Sequence, residues 1–201
     1  MKILIVGGSG TIGKYLCRRF ANEGHEVLSA HRSSENLTID IESVASIDSM
    51  LNSAGKVDAI LCVAGEARWA DFDSLSEEDY YIGLKSKLMG QVNLVRIGQN
   101  YLNTADSSIT LTTGILADHP VLKTTSAAMV NGAIHSFVKA ASLELRTKFR
   151  LNVVSSGLVE DAYTKYKDYF PGHVPVSMDS MYNAYAQSVL GSLNGEVIRV
   201  Y

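Results

Sequence analysis

Cysteine, proline and tryptophan are scarce in this sequence, with two, three and one in 201 residues. Cys17 and Cys62 are too few for a disulfide framework, and neither has a partner at metal-ligand spacing. The five histidines are scattered, so no metal set is expected. Long hydrophobic runs are missing too. The first apolar stretch, Ile3 to Val6, is far too short for a signal peptide core or a membrane span. No charge sign dominates: 18 Lys+Arg stand against 21 Asp+Glu, net −3, with no block of like charges. Such a chain has no basic field with which to grip a nucleic-acid backbone. The expectation is a soluble cytoplasmic protein with neither nucleic acid nor membrane as partner.

What the sequence does have is alternation. Short apolar runs at Lys2–Val6, Glu26–Ala30, Leu37–Asp40, Val57–Val63, Ser108–Thr112, Leu151–Ser155 and Glu196–Val200 are separated by helical patterns. Runs rich in Val, Ile and Leu with helices between them predict a parallel sheet covered on both faces. Ile12, Leu16 and Phe20 recur at helical spacing before Gly24, and Val44, Ile47 and Leu51 mark a short second helix. Ser76-x-x-Asp79 resembles a capping box opening a long helix over Ser76–Leu102, with Leu84, Leu88, Val92 and Val95 on one face. Val130, Ile134, Val138 and Leu145 mark another helix, and a last one lies around Met181–Leu190. All three prolines fall between elements. The expected architecture is α/β, a single Rossmann-type doubly wound parallel sheet of about seven strands forming one domain over residues 1–201.

The first strand runs directly into Gly7-Gly8-Ser9-Gly10-Thr11-Ile12-Gly13 and then into the first helix. Gly7 permits a tight turn, Gly10 keeps a Cβ away from a pyrophosphate, and Gly13 lets helix and sheet pack closely. Unpaired N–H groups of the helix N-terminus, with Ser9, Thr11 and Ile12 around them, would face the phosphates. No Gly-Lys-Ser/Thr ending follows, which disfavours an ATP-type loop. The second strand ends Ala30-His31-Arg32-Ser33-Ser34, with no carboxylate for a ribose 2′-hydroxyl. Arg32 offers a donor fork for a 2′-phosphate, with His31 and Ser33 beside it, so NADP(H) is expected over NAD(H). The alternative is that Arg32 is an ordinary solvated arginine. Asp40 is placed either to hydrogen-bond an adenine amino group or to cap the next helix.

These residues resemble the short-chain dehydrogenase/reductase family. The resemblance extends through Asp40-Ile41, Val63-Ala64-Gly65, Gly90-Gln91-Val92-Asn93-Leu94, Thr112-Thr113-Gly114 and Ser156-Gly157, and so over essentially the whole chain. The glycine spacing is nearer the extended and atypical branches than the classical one. Membership implies a nicotinamide dinucleotide bound across the carboxyl edge of the sheet, with Ala64 and Gly65 against it. It also implies carbonyl reduction or alcohol oxidation on a small molecule, and pairing of the two long helices into a homodimer or homotetramer.

The departures fall on the catalytic positions that the family implies. Its Tyr falls on Ala127 and its Lys, four residues later, on Asn131, so the Tyr-x-x-x-Lys motif is lost there. Its Ser falls on Thr113, with Thr112 and Gly114 as the alternatives one residue either way, and a helix Asn falls on Lys87. Ala127 cannot give up a proton, and Asn131 carries no charge to tune a phenol, though its amide can bond the nicotinamide ribose. Lys87 either brings an ammonium into the cleft or is a solvated helix residue. His119 has a suitable ordinary pKa for proton transfer, or is a surface histidine in a turn. Asp118, Glu160 and Tyr163 lie in loops at the same edge. The segment from Ser156 to Val176, with Tyr163, Tyr166, Tyr169 and Phe170, is expected to line the substrate side. Three readings follow: an NADP(H)-dependent oxidoreductase with a non-standard proton donor, a catalytically degenerate dinucleotide-binding protein acting as sensor or partner subunit, or a lyase or epimerase on the same scaffold, which would still require an acid or base in the cleft.

Overall fold

The computed structural model describes residues 1–201. Six strands, β1 (Lys2–Val6), β2 (Glu26–Ala30), β3 (Ala59–Cys62), β4 (Ser108–Gly114), β5 (Arg150–Ser156) and β6 (Val197–Val200), form one sheet in the order β2-β1-β3-β4-β5-β6. Every pairing is parallel. Helices α1 (Thr11–Asn22) and α7 (Met178–Leu190) cover one face, and α2 (Val44–Ala54), α4 (Gly90–Gly98) and α5 (Thr125–Leu145) cover the other. The period-two alternation of the strands divides the core accordingly. Ile3 and Ile5 pack with Leu16, Phe20, Met181 and Tyr185, while Leu4 and Val6 pack with Ile47, Leu51, Leu94, Ile134 and Val138. Each such buried side chain contributes about 1.5–3 kcal/mol. No helix is long and apolar enough to cross a membrane.

The strand count is six rather than about seven. Leu37–Asp40 forms only an isolated bridge, His31 to Thr38. Leu37 and Ile39 alternate into the core as a strand's residues would, but the backbone turns away, with the Asp40 N–H donating to the Ser46 hydroxyl at the start of α2. Burial without a run of ladder partners is an extended edge segment, not a strand.

The long helix begins where the capping box places it. Ser76 accepts from the Asp79 N–H and Asp79 accepts from the Ser76 N–H, opening α3 (Glu77–Gly83). A π-helical turn, Leu84–Met89, joins α3 to α4. Turns of this kind are often found at functional sites, and this one carries Lys87.

Candidate active site

In the strand order, β1 lies between β2 and β3, so the chain leaves β1 in one direction and returns on its other side. This reversal opens a crevice at the carboxyl ends of β1 and β3. Gly7 begins it with φ +91°, and a Cβ there would sit 2.9 Å from the Val63 carbonyl carbon. At Gly13 a Cβ would stand 2.2 Å from the Gly7 oxygen, so only glycine lets α1 come this close. Gly10 is different: a Cβ there would meet nothing nearer than the Gly7 oxygen at 3.5 Å. The chain leaves that space free. Gly10 is also the N-cap of α1, with no side-chain cap and no acidic residue in the first turn. The free N–H groups and positive dipole end of α1 therefore have no counter-charge from the helix's own cap or first turn, which suits a pyrophosphate. On these grounds the residues present fit a dinucleotide.

On the β2 side of this loop lies a cavity of about 300 Å³, walled by Gly7, Ser9, His31, Arg32, Ser33, Ile39, Ile41, Ala64, Gly65, Glu66 and Ser86. It brings together the predicted His31, Arg32, Ser33, Ala64 and Gly65. Asp40 is not in its wall, and its carboxylate accepts from the Glu42 N–H in the turn into α2. Arg32 is exposed and lies between two carboxylates, 3.7 Å from Glu66 and 4.0 Å from Glu42. Neither glutamate was singled out by the sequence reading. On the other side of the loop, Ser9, Gly10 and Thr11 also border an open hollow with Lys14, Arg18 and Asp161.

Across the carboxyl edge, an apolar cleft of about 230 Å³ is lined by Ile12, Trp69, Gly114, Ile115, Leu116, Ser156, Gly157, Leu158, Val159, Ala162, Tyr166 and Phe170. No charged side chain is in this wall, and the Ser156 hydroxyl donates to the Gly157 carbonyl. Helix α6 (Glu160–Tyr166) forms its outer side, with Trp69 5.4 Å from the Tyr166 ring and 5.8 Å from the Tyr169 ring. Trp69 is the sole tryptophan and belongs to none of the sequence motifs above. Its one available signal was its place a few residues after Gly65, in the loop leaving β3.

Helix α5 contains no tyrosine, and its sole lysine is Lys139. Ala127 is buried in a cluster with Ile115, Leu116, Leu158 and Phe170, behind the wall those four residues give the apolar cleft. One turn on, Asn131 is 3% exposed, and its Oδ1 has no hydrogen-bond partner. Its Nδ2 is 3.7 Å from where a Cβ on Gly114 would be. A further turn on, His135 Nε2 lies 2.7 Å from the Thr113 hydroxyl. Thr113 thus points toward α5, and Gly114 is the β4 residue that lines the cleft. Burial pushes the His135 pKa below its ordinary 6.5, against the pull of Asp118.

Lys87 is half-buried on the π-helical turn, with no ion-pair or hydrogen-bond partner. A Cβ on Gly65 would stand 2.8 Å from the Lys87 Cα, so this lysine is packed against the loop that walls the nucleotide cavity. Burial lowers its pKa, and the only charge acting in the other direction is that of Cys62. Cys62 is itself raised to about 11 by burial and is an inert thiol at neutral pH. His119 lies apart from these groups, exposed, with its ring edge-on to Tyr201 at 5.8 Å. Beside it, Asp118 is held down to about 2 by hydrogen bonds from Arg199 and Tyr201.

Residues 3–108 match the model of the NAD dependent epimerase/dehydratase family. Among curated proteins, the short-chain dehydrogenase/reductase ucsE of Acremonium sp is 26% identical over 146 residues, 72% of this chain. The chain spans about half, 53%, of that relative's length. Among solved structures, the protein lin1944 from Listeria innocua superposes with a TM-score of 0.95 at 39% identity, each chain covered in full. A small-chain dehydrogenase in complex with NADPH superposes at 0.87 with 25% identity, covering all of this chain and 96% of the other.

Proposed function

Because the chain belongs to the NAD dependent epimerase/dehydratase family, we propose that it is an NADP(H)-dependent oxidoreductase of the short-chain type. Its substrate is a small carbonyl or alcohol, and its proton donor is non-standard. The observation that carries this reading is the continuous edge from the Arg32 cavity, over the uncapped N-terminus of α1, to the apolar cleft at Gly114. The nucleotide end and the reacting end of a dinucleotide each have a fitting environment along it. That a protein 25% identical to this one was solved with NADPH supports the phosphorylated cofactor.

The bound cofactor supplies or accepts the hydride. This chain's N–H groups at Thr11 and Ile12 would hold its pyrophosphate, and Arg32 and Ser33 its 2′-phosphate. The unpartnered Asn131 Oδ1 would accept from a hydroxyl of the nicotinamide ribose, which would satisfy an acceptor otherwise buried alone. The apolar wall excludes water around the carbonyl. Lys87 is the candidate proton donor, because a desolvated ammonium releases its proton more readily than a solvated one. Thr113 is paired with His135, and His119 ranks behind Lys87 because its exposed ring stacks edge-on against Tyr201. The test is NADPH oxidation with a panel of neutral aldehydes and ketones, run beside direct cofactor titration.

The second reading is a dinucleotide-binding protein without hydride chemistry, serving as sensor or partner subunit. What favours it is Ala127, set among apolar side chains where a proton donor is expected. Tight NADPH binding with no turnover on any carbonyl would decide for it. Under either reading we propose a homodimer or homotetramer built on the exposed apolar residues Tyr81, Ile82, Met89 and Met129 of the two long helices.

A further inference from the structure

The predicted cofactor preference rested on Arg32 and on the absence of a carboxylate at the end of β2. The fold supplies that carboxylate from elsewhere. Glu66, in the loop after β3, is in the wall of the same cavity as His31, Arg32 and Ser33, and its Oε1 is 3.7 Å from Arg32 Nη2. We infer that Arg32 and Glu66 form a two-way selector for the adenosine ribose, Arg32 taking a 2′-phosphate and Glu66 accepting from a 2′-hydroxyl. The inference rests on the dinucleotide reading above and deepens it: the protein binds both cofactors, and its preference for the phosphorylated one is moderated by Glu66.

The geometry makes the exchange possible. Arg32 and Glu66 are both largely exposed, with 67% and 62% of their side-chain surfaces accessible. Ion pairs between such groups are weak and screened, so a ligand can replace either partner at little cost. A 2′-phosphate takes the planar donor fork of Arg32 and displaces Glu66, whose charge then stands as a like charge beside the phosphate. A 2′-hydroxyl leaves the ion pair in place and donates to the free carboxylate oxygen. Glu42, 4.0 Å from Arg32 but outside the cavity wall, opposes the phosphate without reaching the ribose. The two glutamates therefore differ in what they offer: both repel the phosphate, and only Glu66 receives the hydroxyl.

Titration of NADPH and NADH by nucleotide fluorescence, on the whole chain and on single variants, separates these roles. Removing one like charge at this spacing in a water-rich site is worth about twofold to fivefold. Glu66→Gln is expected to tighten NADPH by that factor and weaken NADH, and Glu42→Gln to tighten NADPH alone. Arg32→Ala is expected to weaken NADPH about tenfold or more while sparing NADH. High salt should erase the gain of both glutamine variants. Equal shifts for both nucleotides in Glu66→Gln, or none for either, overturn the selector while leaving the dinucleotide reading intact. Failure of the unaltered protein to bind either nucleotide overturns both.

Discussion

The hydroxyl of Thr113, at the end of β4, and Nε2 of His135, in the middle of α5, lie 2.7 Å apart and are both buried. Each satisfies the other where water does not reach, so the pair ties the carboxyl end of the sheet to the helix that carries Asn131. Thr113→Val should leave a buried ring nitrogen unpaired and lower stability by about 1–3 kcal/mol, read from denaturant unfolding.

The same pair predicts a pH dependence. Burial lowers the folded pKa of His135 below 6.5, so the native ring is neutral where the unfolded ring begins to charge. The unfolded chain then binds more protons, and the stability present above pH 6.5 is lost as pH falls through the folded pKa. The melting temperature should drop between pH 7 and 5, and His135→Gln should flatten that slope. An unchanged slope in His135→Gln would show that other groups set the acid limb. Asp118, held down to about 2, acts only at more acid pH, below its ordinary 3.8.

Gly10 and Gly13 separate fold from ligand. Gly13→Ala places a methyl 2.2 Å from the Gly7 oxygen and should unfold or badly destabilise the protein. Gly10→Ala meets nothing closer than 3.5 Å and should keep its melting temperature within a few degrees. It should nevertheless weaken NADPH about tenfold or more, the equivalent of about 1.4 kcal/mol, by standing where the pyrophosphate lies. Equal affinity in Gly10→Ala would argue that phosphate binds elsewhere.

If Lys87 supplies the proton, Lys87→Ala should reduce turnover by about 10²–10⁴ without loss of NADPH binding. The rate of the unaltered enzyme should fall as pH rises through the lowered lysine pKa, because the ammonium is the active form. Lys87→Arg should be about as slow as Lys87→Ala despite keeping the charge, since a guanidinium does not release its proton near neutral pH. Turnover surviving Lys87→Ala would move the role to Thr113 or His119. Restoring the family's residues by Ala127→Tyr with Asn131→Lys should cost stability, because the phenol enters a packed apolar cluster.

Trp69 provides an internal reporter. As the sole tryptophan and a wall of the apolar cleft, it should be quenched by a neutral aromatic ketone such as acetophenone, and far less by 4-acetylbenzoate. Equal quenching by both would refute an uncharged substrate class.

The parallel sheet was legible because strands buried on both faces are rich in apolar residues, and β1 and β3 are nearly unbroken apolar runs. Leu37–Asp40 misled because alternation records which side chains are buried, not whether the backbone has partners. Gly7, Gly10 and Gly13 were legible because their spacing, strand and helix are contiguous in sequence. Glu66 and Trp69 were not, since the path of the loop after β3 follows from packing against Lys87 and α6. The direction of Thr113 lay in between: Thr110 and Thr112 bond Ser188 and Tyr185 on α7, which by parity turns Thr113 to the other face. That parity could be used only once the strand's extent to Gly114 was known.

Strand β3 ends at Cys62, while β4 continues to Gly114. Beyond that point the buried side-chain amide of Gln91 acts as the missing strand, donating to the Thr112 carbonyl at 2.9 Å and accepting from its N–H at 3.0 Å. A side chain wedged there fills the space between the two strands and satisfies both the N–H and the carbonyl of Thr112. The splay of the sheet is thus built into the scaffold and does not wait on a ligand, so a molecule bound at the carboxyl edge need not spend affinity on ordering it.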